Sequence, residues 1–356
     1  MNPLYLILAL VLLSLLYRFF LARALLQLSV TRQFSKPAVF EGESGEMTEI
    51  ISNPSALPIV WLRLESSISN ALQFSGQHDL YLNGDRHIES LFTFLPHQRI
   101  IRRYPVHFKK RGNYSVSSSA LTAGDVTGLC QVMQETTCSA DILVWPRLLN
   151  RSVLLSFPLG ISSASASLDQ DPSLYRGLRE YRAGDPIRSI HWPSSAKVGK
   201  TMIKQHDPVG VSRFMILLNG QKHAEQWGDL MDYEQAEIEY AISLAATLSV
   251  HYLTQGCQVG FATNLKTASE ANGPYIAPRA GSTQKTLILN ALARLQIHLG
   301  LRLETYLSSL PLTRDMHIIL LTYYLTPSLE AAIGTLRQKG FEINTHLIRF
   351  PQKSSS

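Results

Sequence analysis

The residues most able to do chemistry lie between Tyr175 and Asp207. This stretch runs Arg179-Glu180-Tyr181-Arg182-Ala183-Gly184-Asp185-Pro186-Ile187-Arg188-Ser189-Ile190-His191-Trp192, followed by Ser194-Ser195-Ala196-Lys197. A histidine beside two serines and a lysine raises the question of a serine nucleophile. That chemistry needs a base within hydrogen-bond reach of the hydroxyl and donors for the oxyanion. No Gly-x-Ser-x-Gly elbow is present. Ser194 and Lys197 have Ser-x-x-Lys spacing, but the companion motifs of that enzyme class are missing. A hydrolase centred on Ser195 and His191 is therefore the rival reading, and His191 reads equally as a turn or packing residue.

The same residues read more simply as a recognition segment. Gly184-Asp185-Pro186 is a turn, with glycine permissive and proline fixing its own φ. Asp185 is placed to cap the next turn or to pair with Arg179 or Arg188. Arginine offers a planar fork for carboxylate or backbone oxygens. Trp192 is a large anchor, for a core or for an interface. Arg179, Tyr181, Gly184, Asp185, Arg188, His191, Trp192, Ser195 and Lys197 are the candidates for arm positioning or partner binding. A rigid arm joining two domains and a partner-recognition surface are compatible roles. Neither a P-loop nor a Gly-x-Gly-x-x-Gly fingerprint occurs, so a separate protein must supply any ATP site.

A second charged group lies upstream. Arg99, Arg102, Arg103, Lys109, Lys110 and Arg111 surround Tyr104 and Phe108, a pattern that could track a nucleic-acid backbone. It also fits a strand edge guarded by charge, or a basic face near anionic lipid. The net charge of +6 does not separate these readings, and nucleic acid is not the expected partner. Cys130, Cys138 and Cys257 are odd in number and lack metal-ligand spacing, so reduced thiols are expected.

The elements that must position these residues fall into three parts. Residues 3–22 form an apolar run whose one charge is Arg18; Arg23 and Arg32 follow it, and no Lys or Arg precedes it. This predicts a transmembrane helix with the remaining chain in the cytoplasm. The placement of Ala24–Val30, in the bilayer or in the folded body, stays open. Between Gln33 and Pro146, short β-branched and aromatic runs recur between turn signals such as Asn83-Gly84, which suggests a β-sandwich. Ser162–Ser167 reads as a linker. From Ser212 the pattern alternates: apolar Phe214–Leu218, a helix with Ile238, Ala241, Ile242, Ala245 and Leu248 on one face, then strand, helix, strand, helix, strand. That rhythm predicts a mostly parallel sheet flanked by helices.

The signature segment resembles the bacterial domain-of-unknown-function family fifty-eight. Its pattern, Arg-x-Tyr-x-x-Gly-Asp-x-x-Arg-x-Ile-x-Trp-x-x-Ser-Ala, is matched at every position from Arg179 to Ala196. Arg111-Gly112-Asn113-Tyr114 and Gly124-Asp125-Val126-Thr127-Gly128-Leu129 resemble further family features. The resemblance implies N-terminal membrane helices, a β-rich region and a von Willebrand factor A-like domain. It also implies association with MoxR-type AAA+ ATPases. Von Willebrand A domains often hold Mg²⁺ at Asp-x-Ser-x-Ser after the first strand, and hard cations want carboxylate oxygens. Here the corresponding positions are Asn219, Gln221 and His223, with Lys222 adding repulsion. No metal site and no cofactor are expected.

The expectation is an α+β multidomain chain: a membrane anchor and juxtamembrane helix (1–32), an antiparallel β-sandwich (33–150), and a linker with the signature arm (151–211). A von Willebrand A-like α/β domain (212–350) and a polar tail (351–356) complete it. The expected function is that of a non-catalytic, membrane-anchored adaptor for a MoxR-type ATPase, located at the cell membrane with its domains in the cytoplasm. The lipid bilayer would be contacted through residues 3–22.

Overall fold

The computed structural model describes residues 3–74, 79–82, 85–125, 131–155, 177–181, 190–205, 213–223, 232–267 and 273–350. Of the residues named above, Gly184, Asp185, Arg188, Val126–Leu129, Cys130, the Ser162–Ser167 linker, Asn83-Gly84 and the tail 351–356 lie outside these residues.

The chain begins with helix α1, Pro3–Gln27, rich in the good helix former leucine. Here the first expectation is corrected. Among the described residues no helix is long and apolar enough to cross a membrane. Arg18 and Arg23 are exposed in the second half of α1, as are Phe19, Phe20 and Leu26, but one face of this half is covered by protein. Leu21, Ala24 and Leu25 are 3%, 2% and 1% exposed. Leu21 and Leu25 pack with Ile51, Leu62, Leu64 and Phe92 in a core of the β-domain. Ala24–Val30 thus belongs to the folded body, and the first strand already starts at Ser29. The transmembrane helix at the head of the α+β architecture falls. With it go the anchor assigned to 1–32, bilayer contact through 3–22, and single-pass placement at the cell membrane.

Among the described residues, eleven strands follow. They are β1 (Ser29–Phe34), β2 (Ala38–Phe40), β3 (Ser44–Ser52), β4 (Ile59–Ile68), β5 (Leu72–Phe74), β6 (Asp79–Leu82), β7 (Asp85–Phe94), β8 (Arg99–Phe108), β9 (Gly112–Gly124), β10 (Gln131–Glu135) and β11 (Ser139–Trp145). One sheet has the order β1-β3-β8-β5; the other runs β2-β11-β9-β4-β7-β6, with β10 also on β9. Among the described residues, all of these pairs are antiparallel except β2 with β11. Alternation explains the layers. In β4 the buried positions Leu62, Leu64, Ser66 and Ile68 recur every second residue, as a strand with one covered face requires. Phe34, Met47, Leu72 and Phe108 from the first sheet meet Val116, Ile142 and Val144 from the second.

A short helix α2 (Arg151–Leu155) leads towards the signature region, which contains β12 (Gly177–Glu180), α3 (Trp192–Val198) and β13 (Met202–Gln205). The α/β unit then comprises β14 (Arg213–Leu218), α4 (Asp232–Thr254), β15 (Gln258–Thr263), β16 (Leu265–Thr267), β17 (Tyr275–Arg279), α5 (Ser282–Arg294), β18 (Leu295–Leu299), α6 (Leu303–Ser309), β19 (Met316–Thr322), α7 (Pro327–Gln338) and β20 (Glu342–Leu347). Its sheet has the order β17-β15-β14-β19-β20. β14, β15, β19 and β20 are parallel, and β17 is antiparallel. Central β14 is buried on both faces, which is why it reads as an unbroken apolar run. Phe214, Ile216 and Leu218 pack towards α4 and α5; Met215 and Leu217 pack towards α6 and α7.

Candidate functional site

The described parts of the signature region, residues 177–181 and 190–205, form a small hairpin with a helix before its second strand. β12 and β13 pair antiparallel, Arg179 opposite Ile203 and Glu180 opposite Met202. The Tyr181 N–H donates to the Thr201 carbonyl (2.8 Å) and the His191 N–H to the Met202 carbonyl (2.8 Å). Ile190 bridges to Ile203. An ion pair between Lys200 and Glu180 closes the far end.

His191 and Ser195 build the helix inside this hairpin. His191 is the N-cap of α3: its Nδ1 accepts the Ser194 N–H at 3.2 Å, which satisfies one of the otherwise unpaired first-turn donors. Ser195 sits one turn on. Its hydroxyl donates to the His191 carbonyl (2.9 Å) and accepts the Met202 N–H (2.8 Å). It thereby stitches α3 to β13. Both groups of the supposed nucleophile pair thus have backbone partners. Gly199 ends the helix at φ 70°, a left-handed turn suited to glycine, and its N–H donates to the Ser195 carbonyl. With Pro193 in the first turn, the helix is specified locally at both ends.

The side chains left over point outward. α3 buries none of its residues. Trp192 is 67% exposed, Val198 57% and Tyr181 37%. Lys197 is exposed in the last turn. The structure therefore brings Tyr181, His191, Trp192, Ser195 and Lys197 onto one hairpin, together with the backbone of Arg179.

The positions Asn219, Gln221 and His223 behave differently. They lie just past β14, at the carboxyl edge of the parallel sheet, where open α/β sheets place ligand sites. Asn219 and Gln221 are buried, and Asn264 and Thr322 join them. The Asn219 Nδ2 donates to the Thr322 Oγ1 (3.0 Å), and the Gln221 N–H to the Asn219 Oδ1 (3.0 Å). Asn264 Nδ2 donates to Asn219 Oδ1 (3.3 Å), and its Oδ1 accepts the Gly220 N–H (2.7 Å). Gln221 Oε1 accepts the Leu303 N–H at 3.0 Å. These neutral amides answer one another and the backbone. His223 and Lys222 turn instead to α4, where they pair with Glu234 (3.7 Å) and Glu237 (3.0 Å). Among the described residues, no group of three or more His, Cys, Asp or Glu side chains is arranged to hold a metal ion.

The basic β-region is also divided among separate partners. Arg102 stacks over the Phe92 ring at 4.0 Å, Arg103 approaches Glu46 at 3.8 Å, and Arg111 is buried. Sequence reasoning missed Asn264, the stitching hydroxyl of Ser195, and the destination of Arg111. A polar residue directly after a buried strand was the available signal for Asn264.

Residues 177–340 match the family model described as protein of unknown function DUF58. Over these residues the chain is similar to that family. No curated protein matches the chain. Among solved structures, the CARDB domain of a Pyrococcus furiosus protein, solved with di-metal ions, is 12% identical and has a TM-score of 0.22. That match covers 33% of this chain and 93% of that one. A non-cellulosomal cohesin from Archaeoglobus fulgidus is 9% identical with a TM-score of 0.25, covering 36% of this chain and 96% of that one. A type I cohesin complex from Clostridium thermocellum is 7% identical with a TM-score of 0.25, covering 33% and 99%. Scores this low carry no argument about function.

Proposed function

We propose that this chain is a non-catalytic adaptor that binds another protein through the hairpin built by residues 177–181 and 190–205, its partner being a MoxR-type AAA+ ATPase engaged in complex assembly or remodelling. The observation that supports it is Trp192, 67% exposed on a helix that has no buried face. A tryptophan on a capped and stitched helix is held ready at low entropic cost, and tryptophan is the residue type most enriched among binding hot spots. Absence of a nucleotide-binding motif is consistent with a partner that supplies the ATPase site. Catalysis at Ser195 has less support, because its hydroxyl already bridges the His191 carbonyl and the Met202 N–H.

The test is binding of the purified chain to a purified MoxR-type ATPase from the same organism, read by biolayer interferometry. Trp192→Ala is expected to weaken binding by about 2 kcal/mol, roughly thirtyfold, with the circular dichroism of the chain unchanged. Wild-type chain that fails to bind, or Trp192→Ala that binds as wild type does, sinks the proposal. A parallel ester-hydrolysis assay on Ser195→Ala separates the enzyme reading: lost turnover with intact binding would favour a hydrolase.

A further inference from the structure

The motif Arg111-Gly112-Asn113-Tyr114 is explained neither by the hairpin nor by the amide network. It begins in the turn between β8 and β9. The Tyr114 hydroxyl donates back to the carbonyls of Lys110 (3.0 Å) and Arg111 (2.9 Å). Its ring lies so close to Gly112 that a Cβ there would meet it at 2.9 Å, and Gly112 has φ +153°. Tyrosine and glycine together therefore fix the turn, and Arg111 projects from it away from the sandwich.

The Arg111 side chain is only 4% exposed, because it enters the α/β unit. Its Nε donates to the Glu239 carboxylate on α4 at 2.6 Å. Its Nη1 donates to the carbonyls of Leu292 (2.8 Å) and Leu295 (3.0 Å), and more distantly to Ala293 (3.4 Å). These carbonyls belong to the last turn of α5 and its cap. α5 ends without a left-handed cap: Leu295 is extended, at φ −61° and ψ 129°. The carbonyls of a final helical turn need outside donors, and the negative end of the helix dipole favours a cation. Arg111 meets both needs from another part of the chain. The contact does not stand alone. Trp145 Nε1 donates to the Asn290 Oδ1 (2.8 Å), the Leu149 N–H donates to the Thr247 Oγ1 (2.9 Å), and Phe40, Trp145 and Leu148 pack against the α4–α5 core.

We propose that Arg111 is an interdomain latch: by supplying the missing cap of α5 and pairing with Glu239, it makes the β-sandwich and the α/β unit move as one body. The geometry calls for arginine in particular. One planar fork reaches a carboxylate and two carbonyls at once, which a lysine ammonium does not. The sandwich is thereby coupled to whatever the α/β unit engages.

Hydrogen–deuterium exchange on the full chain tests this, with wild type, Arg111→Ala, Arg111→Lys and Glu239→Gln. Loss of the cap lets the last turn of α5 fray, so Arg111→Ala is expected to speed exchange in residues 290–296 by about tenfold or more. Exchange in β14 and β19 should stay unchanged. Arg111→Lys should resemble Arg111→Ala at 290–296, whereas Glu239→Gln, which leaves the carbonyl bonds, should stay near wild type there. Small-angle scattering should show a broader maximum dimension for Arg111→Ala. Unchanged exchange at 290–296, an equal rise throughout the chain, or full protection in Arg111→Lys overturns the latch. Should Arg111→Ala fail to fold, the Arg111→Lys result decides by itself.

Discussion

At the scale of single residues, the chain repeatedly gives a polar side chain a backbone partner instead of a reactive one. Ser195 and His191 do so in the hairpin, and Asn219, Gln221 and Asn264 do so at the sheet edge. Glu41 follows the same pattern, with a consequence for pH. Its Oε2 accepts the Arg111 N–H at 3.3 Å. Burial, and then the nearby Glu239 charge, push its pKa above the ordinary carboxylate value, against the pull of Arg111 and Arg147. A carboxyl whose folded pKa is raised favours the folded state while protonated, and that contribution is lost as pH rises through the raised value. Replacing it by glutamine removes the penalty of the charged form and keeps an acceptor for the Arg111 N–H. Glu41→Gln is therefore expected to have a higher urea midpoint than wild type at pH 7. The two midpoints should converge below about pH 4, where both side chains are neutral. A midpoint difference independent of pH would show that ionisation of Glu41 is not its source.

At the scale of elements, the signature hairpin depends on a few local bonds because α3 has no core to lean on. The Ser195 hydroxyl supplies two of them, to the His191 carbonyl and from the Met202 N–H. Ser195→Ala is expected to destabilise the hairpin by about 1–2 kcal/mol. This reads as faster amide exchange at Met202 and limited proteolysis between 190 and 205, with the midpoint for the rest of the chain unmoved. Binding through Trp192 should weaken in step, since the anchor would lose its platform. Intact protection at Met202 would show that the hydroxyl does not hold the helix. The adjacent α/β sheet contrasts with this. β14 is covered on both faces, by Ile216 towards one helical layer and Leu217 towards the other. Its stability is therefore a matter of packing rather than of single bonds.

At the scale of the whole molecule, the first helix and the two folded units are tied together by buried contacts. Leu25 of α1 is 1% exposed and packs in the same core as Ile51 and Phe92. Leu25→Ala should cost about 2–4 kcal/mol, measured as a shift of the urea midpoint of the sandwich. An unchanged midpoint would show that α1 does not close that core. Much of this molecule was legible beforehand. The signature from Arg179 to Ala196, the alternating strands before Pro146, and the strand–helix rhythm after Ser212 are short-range patterns, and local propensity and periodicity fix such patterns. The absence of carboxylates at Asn219, Gln221 and His223 was likewise plain from residue types alone. The apolar run at residues 3–22 misled for the same reason: composition reports that a helix is apolar, not which of its residues pack against the rest of the chain. Tertiary structure decided that Leu21 and Leu25 face the sandwich core. It also decided that Arg111 meets Glu239, 128 residues away, and the Leu295 carbonyl, 184 residues away. Partners that distant in sequence are chosen by how the domains pack, and no local pattern encodes that choice.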